Sequence, residues 1–221
     1  FGERFKRAAD LSARAVRELD RLDRFTVLAC DTTCQSLTGG LRTPGHQAAK
    51  DVASFLAGIQ ADGGSDPSAS IRTAAAMASQ SEGRALRIVY IGDGTPTVGA
   101  IVPGMVQQAT RDAVGNRGTV TSVAIGADAD LDTLSAMSRG GKGVVLPYVP
   151  GQKVAEVAYR ILGATYGGGL SDARVELPEG LVQIAPTQLD TIVTGGEAMV
   201  VARMTRPDVS GTVVLKGSVG G

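Results

Sequence analysis

Arg87-Ile-Val-Tyr-Ile91 runs directly into Gly92-Asp93-Gly94-Thr95-Pro96-Thr97. Four β-branched or aromatic residues in succession predict a short strand covered on both faces, the kind that parallel sheets use. The loop behind it presents a carboxylate between two glycines, at the end of the strand where open α/β sheets carry their function. Working outward, a helix is predicted from about Pro103 to Val114, a strand at Val120–Ile125 and a short helix carrying Leu131, Leu134 and Met137. A strand at Gly143–Tyr148 and a helix with Val154, Val157, Ala158, Ile161 and Leu162 follow. Toward the N-terminus, Asp66-Pro67 opens another helix, with Asp as the cap and Pro in the first turn. Ala48, Ala49, Val52, Phe55, Leu56 and Ile59 recur at helical spacing, and Gly58 and Gly63-Gly64 end that helix.

Phe25-Thr-Val-Leu-Ala-Cys30 reads as a further strand covered on both faces, with a short second strand around Gln35–Thr38. Residues 3–22 form a helix with Phe5, Ala8, Ala9, Ser12, Val16 and Leu19 on its apolar face. Strands and helices thus alternate to about residue 166, which predicts an α/β fold: a Rossmann-like, mostly parallel sheet with helices on both faces. Gly167-Gly168-Gly169 interrupts this pattern. Beyond it, Arg174–Leu177, Met199–Met204 and Thr212–Leu215 alternate in the manner of antiparallel strands between Pro/Gly turns. The expected organisation is an α/β domain over 1–166, a Gly-rich linker over 167–172 and an incomplete β-sandwich-like segment over 173–221. That last segment is too small to stand alone and leans on the first domain or on further strands.

Composition narrows the function classes. Lys+Arg and Asp+Glu both total 22, so the net charge is zero. This excludes the broad basic field of a dedicated nucleic-acid or membrane-surface binder. No apolar run approaches the about 20 residues of a transmembrane helix. Two thiols, Cys30 and Cys34, with the lone His46 fall short of a zinc site. Their spacing leaves open a local disulfide, while the apolar setting of Cys30 favours buried free thiols. His46, just after Pro44-Gly45, reads as a solvated histidine near a helix start.

Enzyme signatures fail individually. There is no Gly-x-Ser-x-Gly elbow, and a hydrolase triad would depend on His46 alone. Gly140-Gly-Lys-Gly143 is not a P-loop, and Gly92/Gly94 lack the third glycine of a dinucleotide fingerprint. What remains is the pair of loops Gly63-Gly64-Ser65-Asp66 and Gly92–Thr97, whose hydroxyl and carboxylate oxygens suit a hard cation such as Mg²⁺. Each has a plainer reading alone: Asp66 as a helix cap, Asp93 as a turn residue.

Several of these stretches together resemble the von Willebrand factor A domain, in its bacterial and inter-α-trypsin-inhibitor heavy-chain-like branch. They are Leu22–Ala29, Gly63–Asp66, Ile91–Thr97, Ser122-Val-Ala-Ile-Gly126 and Gly140–Gly143, in the family's order. The resemblance implies a non-catalytic protein-interaction or adhesion module, with a metal-ion-dependent adhesion site in the parent protein. Ser65 matches that site's hydroxyl ligand and Asp93 its carboxylate ligand, with Asp66 and Thr95 beside them. The bound ion would be Mg²⁺, Mn²⁺ or Ca²⁺, and an acidic residue of a protein partner would complete its shell.

The family's Asp-x-Ser-x-Ser loop and the strand before it precede a stretch like Phe1–Lys6, so the chain is expected to lack both. The resemblance then implies that another segment or chain supplies the strand. Asp31-Thr-Thr-Cys-Gln35 offers similar groups, but it lies too close to Ser65 for the family's spacing and belongs to the turn after Cys30. Two other readings stand beside this one: a structural subunit with a vestigial metal site, and a nucleotide-binding Rossmann-like enzyme. Arg outnumbers Lys 17 to 5, which fits a GC-rich bacterial genome, and the resemblance favours an exported or envelope-associated protein.

Overall fold

The computed structural model describes residues 2–60, 63–78, 83–149 and 151–220. In chain order the first domain comprises α1 (Gly2–Glu18), β1 (Leu28–Cys30), β2 (Cys34–Ser36), α2 (His46–Ala57), α3 (Pro67–Ala78) and β3 (Leu86–Gly92). It continues with α4 (Pro103–Val114), β4 (Gly118–Ile125), α5 (Leu131–Gly140), β5 (Val145–Tyr148) and α6 (Val154–Tyr166). Strands β3, β4 and β5 form a parallel sheet in that order. The α/β architecture expected from the alternation is therefore present.

Period-two alternation along the strands sorts the helices between two faces. Val123 and Ile125 of β4 pack with Leu11 of α1, Tyr148 of β5 and Val157, Ala158 and Ile161 of α6. Ile88 and Val120 point the other way, onto Ile71 and Ala75 of α3, Val106 and Val114 of α4 and Met137 of α5. A third cluster joins Val16 of α1 to Phe25, Ala48, Val52 and Leu56. Leu11 lies outside the expected apolar face of α1 yet is fully buried, because α1 is wedged between the first and third clusters.

Helix α5 reaches β4 and α4 through its glycines. A Cβ on Gly143 would stand 2.1 Å from the Val120 carbonyl oxygen, and one on Gly140 would stand 2.3 Å from the Gln107 carbonyl oxygen. The glycine cluster that fails as a phosphate loop is thus a close-packing device. Nearby, the buried Ser138 hydroxyl bridges Ser122 Oγ (2.9 Å) and the Val144 carbonyl (3.0 Å), fastening α5 across β4.

Three expectations differ from the structure. Cys30 and Cys34 are joined by a disulfide instead of being buried free thiols. The tight turn over Asp31–Thr33 brings their Cα atoms to 4.1 Å, and Cys30 is exposed. The segments 25–30 and 87–91 were expected to be covered on both faces. Instead, β1 pairs only with β2, antiparallel, and only Ile88 of β3 is buried, because a cavity separates β1 from β3. In the tail, the strand expected from Ala173 already begins at Gly169, inside the expected linker. The tail strands are β6 (Gly169–Glu176), β7 (Leu181–Ala185), β8 (Ile192–Val193), β9 (Val201–Met204) and β10 (Val214–Gly220). They pair in two small sheets, β10-β6-β8 and β7-β9. Arg139 of α5 holds the tail to the domain through Asp190 at 2.7 Å.

At the end of α6, the Tyr166 hydroxyl donates to the Asp23 carboxylate, while Arg87 lies over the ring at 5.4 Å. Burial and the Asp23 bond push the phenol pKa up to about 12. A raised value means that folding favours the protonated phenol. Its contribution is complete below the unfolded value near 10 and fades as pH rises through 12.

Two predictions follow from the packing. Gly143→Ala should lower stability by about 1–3 kcal/mol, since backbone must move to admit the methyl. In contrast, Gly104→Ala, with nothing within 4 Å, should raise it by about 0.5–1 kcal/mol. Paired denaturant melts check both. Ultraviolet titration should show one phenol ionising near 12 that disappears in Tyr166→Phe, and the alkaline loss of stability should shrink in that variant.

Candidate functional site

The carboxyl ends of β1 and β3 and the loop before α3 converge on one mouth of the cavity. Backbone bonds stitch these loops together. The Ser65 N–H donates to Thr97 Oγ1 (2.7 Å), and the Ser65 carbonyl accepts from the N–H groups of Thr97 (2.9 Å) and Val98 (3.2 Å). The Asp66 N–H donates to the Asp31 carbonyl at 3.2 Å. The Asp93 carbonyl accepts from the Asp130 N–H at 2.8 Å, anchoring the loop to the start of α5. Gly94 has φ +74°, and a Cβ there would meet Leu134 Cγ at 2.5 Å, so only glycine allows the loop to seat against α5.

Ser65, Asp93 and Thr95 all line this end of the cavity. Asp93 Oδ1 accepts the Thr95 N–H at 3.1 Å, which fixes the carboxylate's direction. Among the described residues, Ser65 Oγ and Asp93 Oδ2 engage no hydrogen-bond partner. Asp66 is placed differently. Its Oδ1 caps α3 by accepting the Ala69 N–H at 2.8 Å, and its Oδ2 lies 3.9 Å from Arg72. The plainer reading of Asp66 as a helix cap therefore holds, and the carboxylate packs against Gly99 instead of facing the cavity.

Three residues outside the predicted ligand set belong to this mouth. Thr97 joins the Ser65 loop to the Asp93 loop, and only folding brings these loops together. Asp31 also lines the cavity; its Oδ1 accepts the Thr33 N–H at 2.7 Å, which holds its pKa below the usual carboxylate value. Tyr90 lies behind Asp93, where burial and the neighbouring carboxylate push its hydroxyl pKa upward and keep it protonated. Alternation along β3 would have turned Tyr90 inward, but only the tertiary structure places it beside Asp93. His46 is exposed on α2 and does not line the cavity.

One hydroxyl and one carboxylate with uncommitted oxygens suit a hard cation in kind, though not in number. Among the described residues no group of three or more His, Cys, Asp or Glu is assembled. No described helix is long and apolar enough to cross a membrane.

Comparison with known proteins agrees with this architecture. The model of the von Willebrand factor type A domain matches residues 2–145. Human inter-alpha-trypsin inhibitor heavy chain H6 is 25% identical over 217 residues, covering 94% of this chain, which spans only 16% of that protein. Among solved structures, an aerotolerance-related membrane protein from Bacteroides fragilis superposes with a TM-score of 0.61 at 15% identity, over 73% of this chain and 87% of that one. A von Willebrand factor type A protein from Catenulispora acidiphila gives 0.60 at 16% identity, over 86% of this chain and 46% of its own. At these identities the two structures speak for the fold. Domains of this type are generally protein-interaction modules and commonly bind a divalent metal. With the family model covering most of the parallel-sheet domain, the chain belongs to the von Willebrand factor type A domain family.

Proposed function

We propose that the domain is a non-catalytic protein-interaction module with a divalent-cation site at the carboxyl end of its sheet. The observation that supports this reading is the convergence of Ser65 and Asp93 on one cavity mouth, each with an oxygen free of hydrogen bonds among the described residues. A bound Mg²⁺ or Mn²⁺ supplies an electrophilic centre for a partner's carboxylate. Ser65 contributes a neutral oxygen and Asp93 a negative one. The Thr95 N–H holds Asp93 in place, while Thr97 and the Asp66 cap hold the Ser65 loop. Ser65 and Asp93 leave the other coordination positions to water and to the partner's carboxylate. The partner is a protein that presents Asp or Glu, and the setting is the exported or envelope space of a bacterium.

That no group of three or more His, Cys, Asp or Glu is assembled among the described residues suits one second reading, a structural subunit whose metal site is vestigial. Calorimetry of the parent polypeptide, with the residues encoded upstream of Phe1 included, separates the two. Saturable Mg²⁺ or Mn²⁺ binding is expected, weakened more than about 100-fold in Asp93→Ala. In Thr97→Val, which removes the acceptor of the Ser65 N–H, it should weaken by about 10–100-fold. A folded parent that binds neither ion would leave the structural reading standing.

A further inference from the structure

The amino-terminal end of the sheet lies opposite the mouth that holds Ser65 and Asp93, and arginines gather there. Arg24 precedes β1, Arg84 and Arg87 stand at the start of β3, and Arg117 precedes β4. All four are exposed, and all four line this end of the cavity. Their places are tied together. Arg84 donates to the Leu22 carbonyl at 2.7 Å, and Arg24 donates to the same oxygen at 3.5 Å and to the Asp23 carbonyl at 2.7 Å. Arg87 Nε donates to the Thr165 carbonyl at 2.7 Å, while its guanidinium lies over the Tyr166 ring. Tyr166 in turn donates to the Asp23 carboxylate. The Arg117 carbonyl accepts the Leu86 N–H at 3.0 Å, which sets Arg117 beside the same strand end.

Four guanidinium groups brought together repel one another unless a counter-charge is supplied. Among the described residues none of the four forms an ion pair. Cations elsewhere do: Arg4 with Asp128, Lys6 with Asp10, Arg42 with Asp51 and Arg139 with Asp190. The acids beside Leu22 are engaged by other groups. Asp20 Oδ1 accepts the Leu22 N–H at 2.7 Å, and Asp23 accepts the Tyr166 hydroxyl and the Asp20 N–H. Cations do suit the carbonyl-rich ends of helices such as α6. Those carbonyl bonds, however, use a single nitrogen each of Arg24, Arg84 and Arg87, and a guanidinium carries five N–H donors. The other donors, and all those of Arg117, engage no partner among the described residues.

We propose that Arg24, Arg84, Arg87 and Arg117 form an oxyanion site that takes a phosphoryl group, carried by a small phosphate ester or by a lipid headgroup. A phosphate monoester brings nearly two negative charges and three acceptor oxygens, where a single carboxylate brings one charge. The planar guanidinium fork matches phosphate oxygens in pairs, which the point charge of lysine does not. Carbonyl bonds and the Tyr166 ring hold three of the arginines before any ligand arrives, so little ordering opposes binding. Leu22 is 71% exposed and Tyr166 42%, and they offer apolar contact to the organic part of the ligand. A zero net charge is compatible with such a site, because a local cluster sets the local potential. The site needs no cation, so it stands or falls apart from the metal reading.

The test uses the parent polypeptide with a chelator present, which keeps the cation mouth out of the measurement. Calorimetry with inorganic phosphate and with glycerol 3-phosphate, at constant ionic strength, should show saturable binding. Affinity should fall by about 10-fold or more in Arg84→Gln and in Arg117→Gln. Arg117→Gln removes no side-chain bond to the protein, so its Tm should stay at the wild-type value. Arg160→Gln, at an exposed arginine outside the cluster, should bind as the wild type does. Failure to bind the free phosphates, with sedimentation on phosphatidylcholine vesicles only when they contain phosphatidic acid and only with both arginines intact, would assign the site to a lipid headgroup. A folded polypeptide that binds none of these probes would overturn the proposal. So would wild-type affinity in either cluster variant, or an equal loss in Arg160→Gln, the sign of diffuse charge attraction.

Discussion

The domain is organised around β4, whose residues after Thr119 are all buried. A strand in this position must be apolar on both faces and paired on both edges, and each requirement recruits a different part of the chain. Val123 and Ile125 draw α1 and α6 onto one face, while Val120 draws α3, α4 and α5 onto the other. The edges take β3 and β5. The glycines after α5 let that helix end close to the β4 backbone, and the Ser122–Ser138 bond satisfies hydroxyls that burial would otherwise leave unpaired. Removing either device would separate the helical layer from the strand that holds the sheet together.

A consequence of that arrangement appears at β3. Its inner edge is saturated by β4, while its outer edge looks across the cavity at β1. The β1–β2 hairpin is held on the far side by α1 and α2, so its position does not depend on strand pairing with β3. Packing of helices, not a backbone ladder, places the β1-β2 sheet beside β3-β4-β5. The loops bearing Ser65 and Asp93 are tied together at the carboxyl mouth of the cavity.

The mouth combines groups that are restrained with groups that are not. Asp66 is committed to the α3 cap, and Asp31 to its own turn. Thr97 is committed to the Ser65 backbone. Ser65 Oγ and Asp93 Oδ2 keep their lone pairs available while their backbones are fixed from several directions. The proposed cation site would rely on this separation between groups that position and groups that present.

Local sequence determined most of the element order, because apolar periodicity and cap signals are short-range. Helix α4 falls at Pro103–Val114 as its pattern predicts, and Asp66-Pro67 opens α3. The same reading singled out Asp93 and Ser65 as candidates, since a glycine-flanked carboxylate after a strand and a hydroxyl before a helix are local features. Other properties depended on contacts between segments far apart in the chain. Leu11 is buried because two clusters meet at α1, and Thr97 matters because folding brings it to the Ser65 N–H. Cys30 and Cys34 bond because the turn between them is tight, a geometry that spacing alone left open. β7 lacked a clean alternating signal, and the strand start at Gly169 was hidden by glycines that pairing with β8 and β10 makes extended. Sequence thus determined most strands and helices of the α/β part and which residues carry hard oxygen donors. The tertiary structure alone decided which strand edges remain unpaired and which donors share a cavity, because both depend on how distant segments pack.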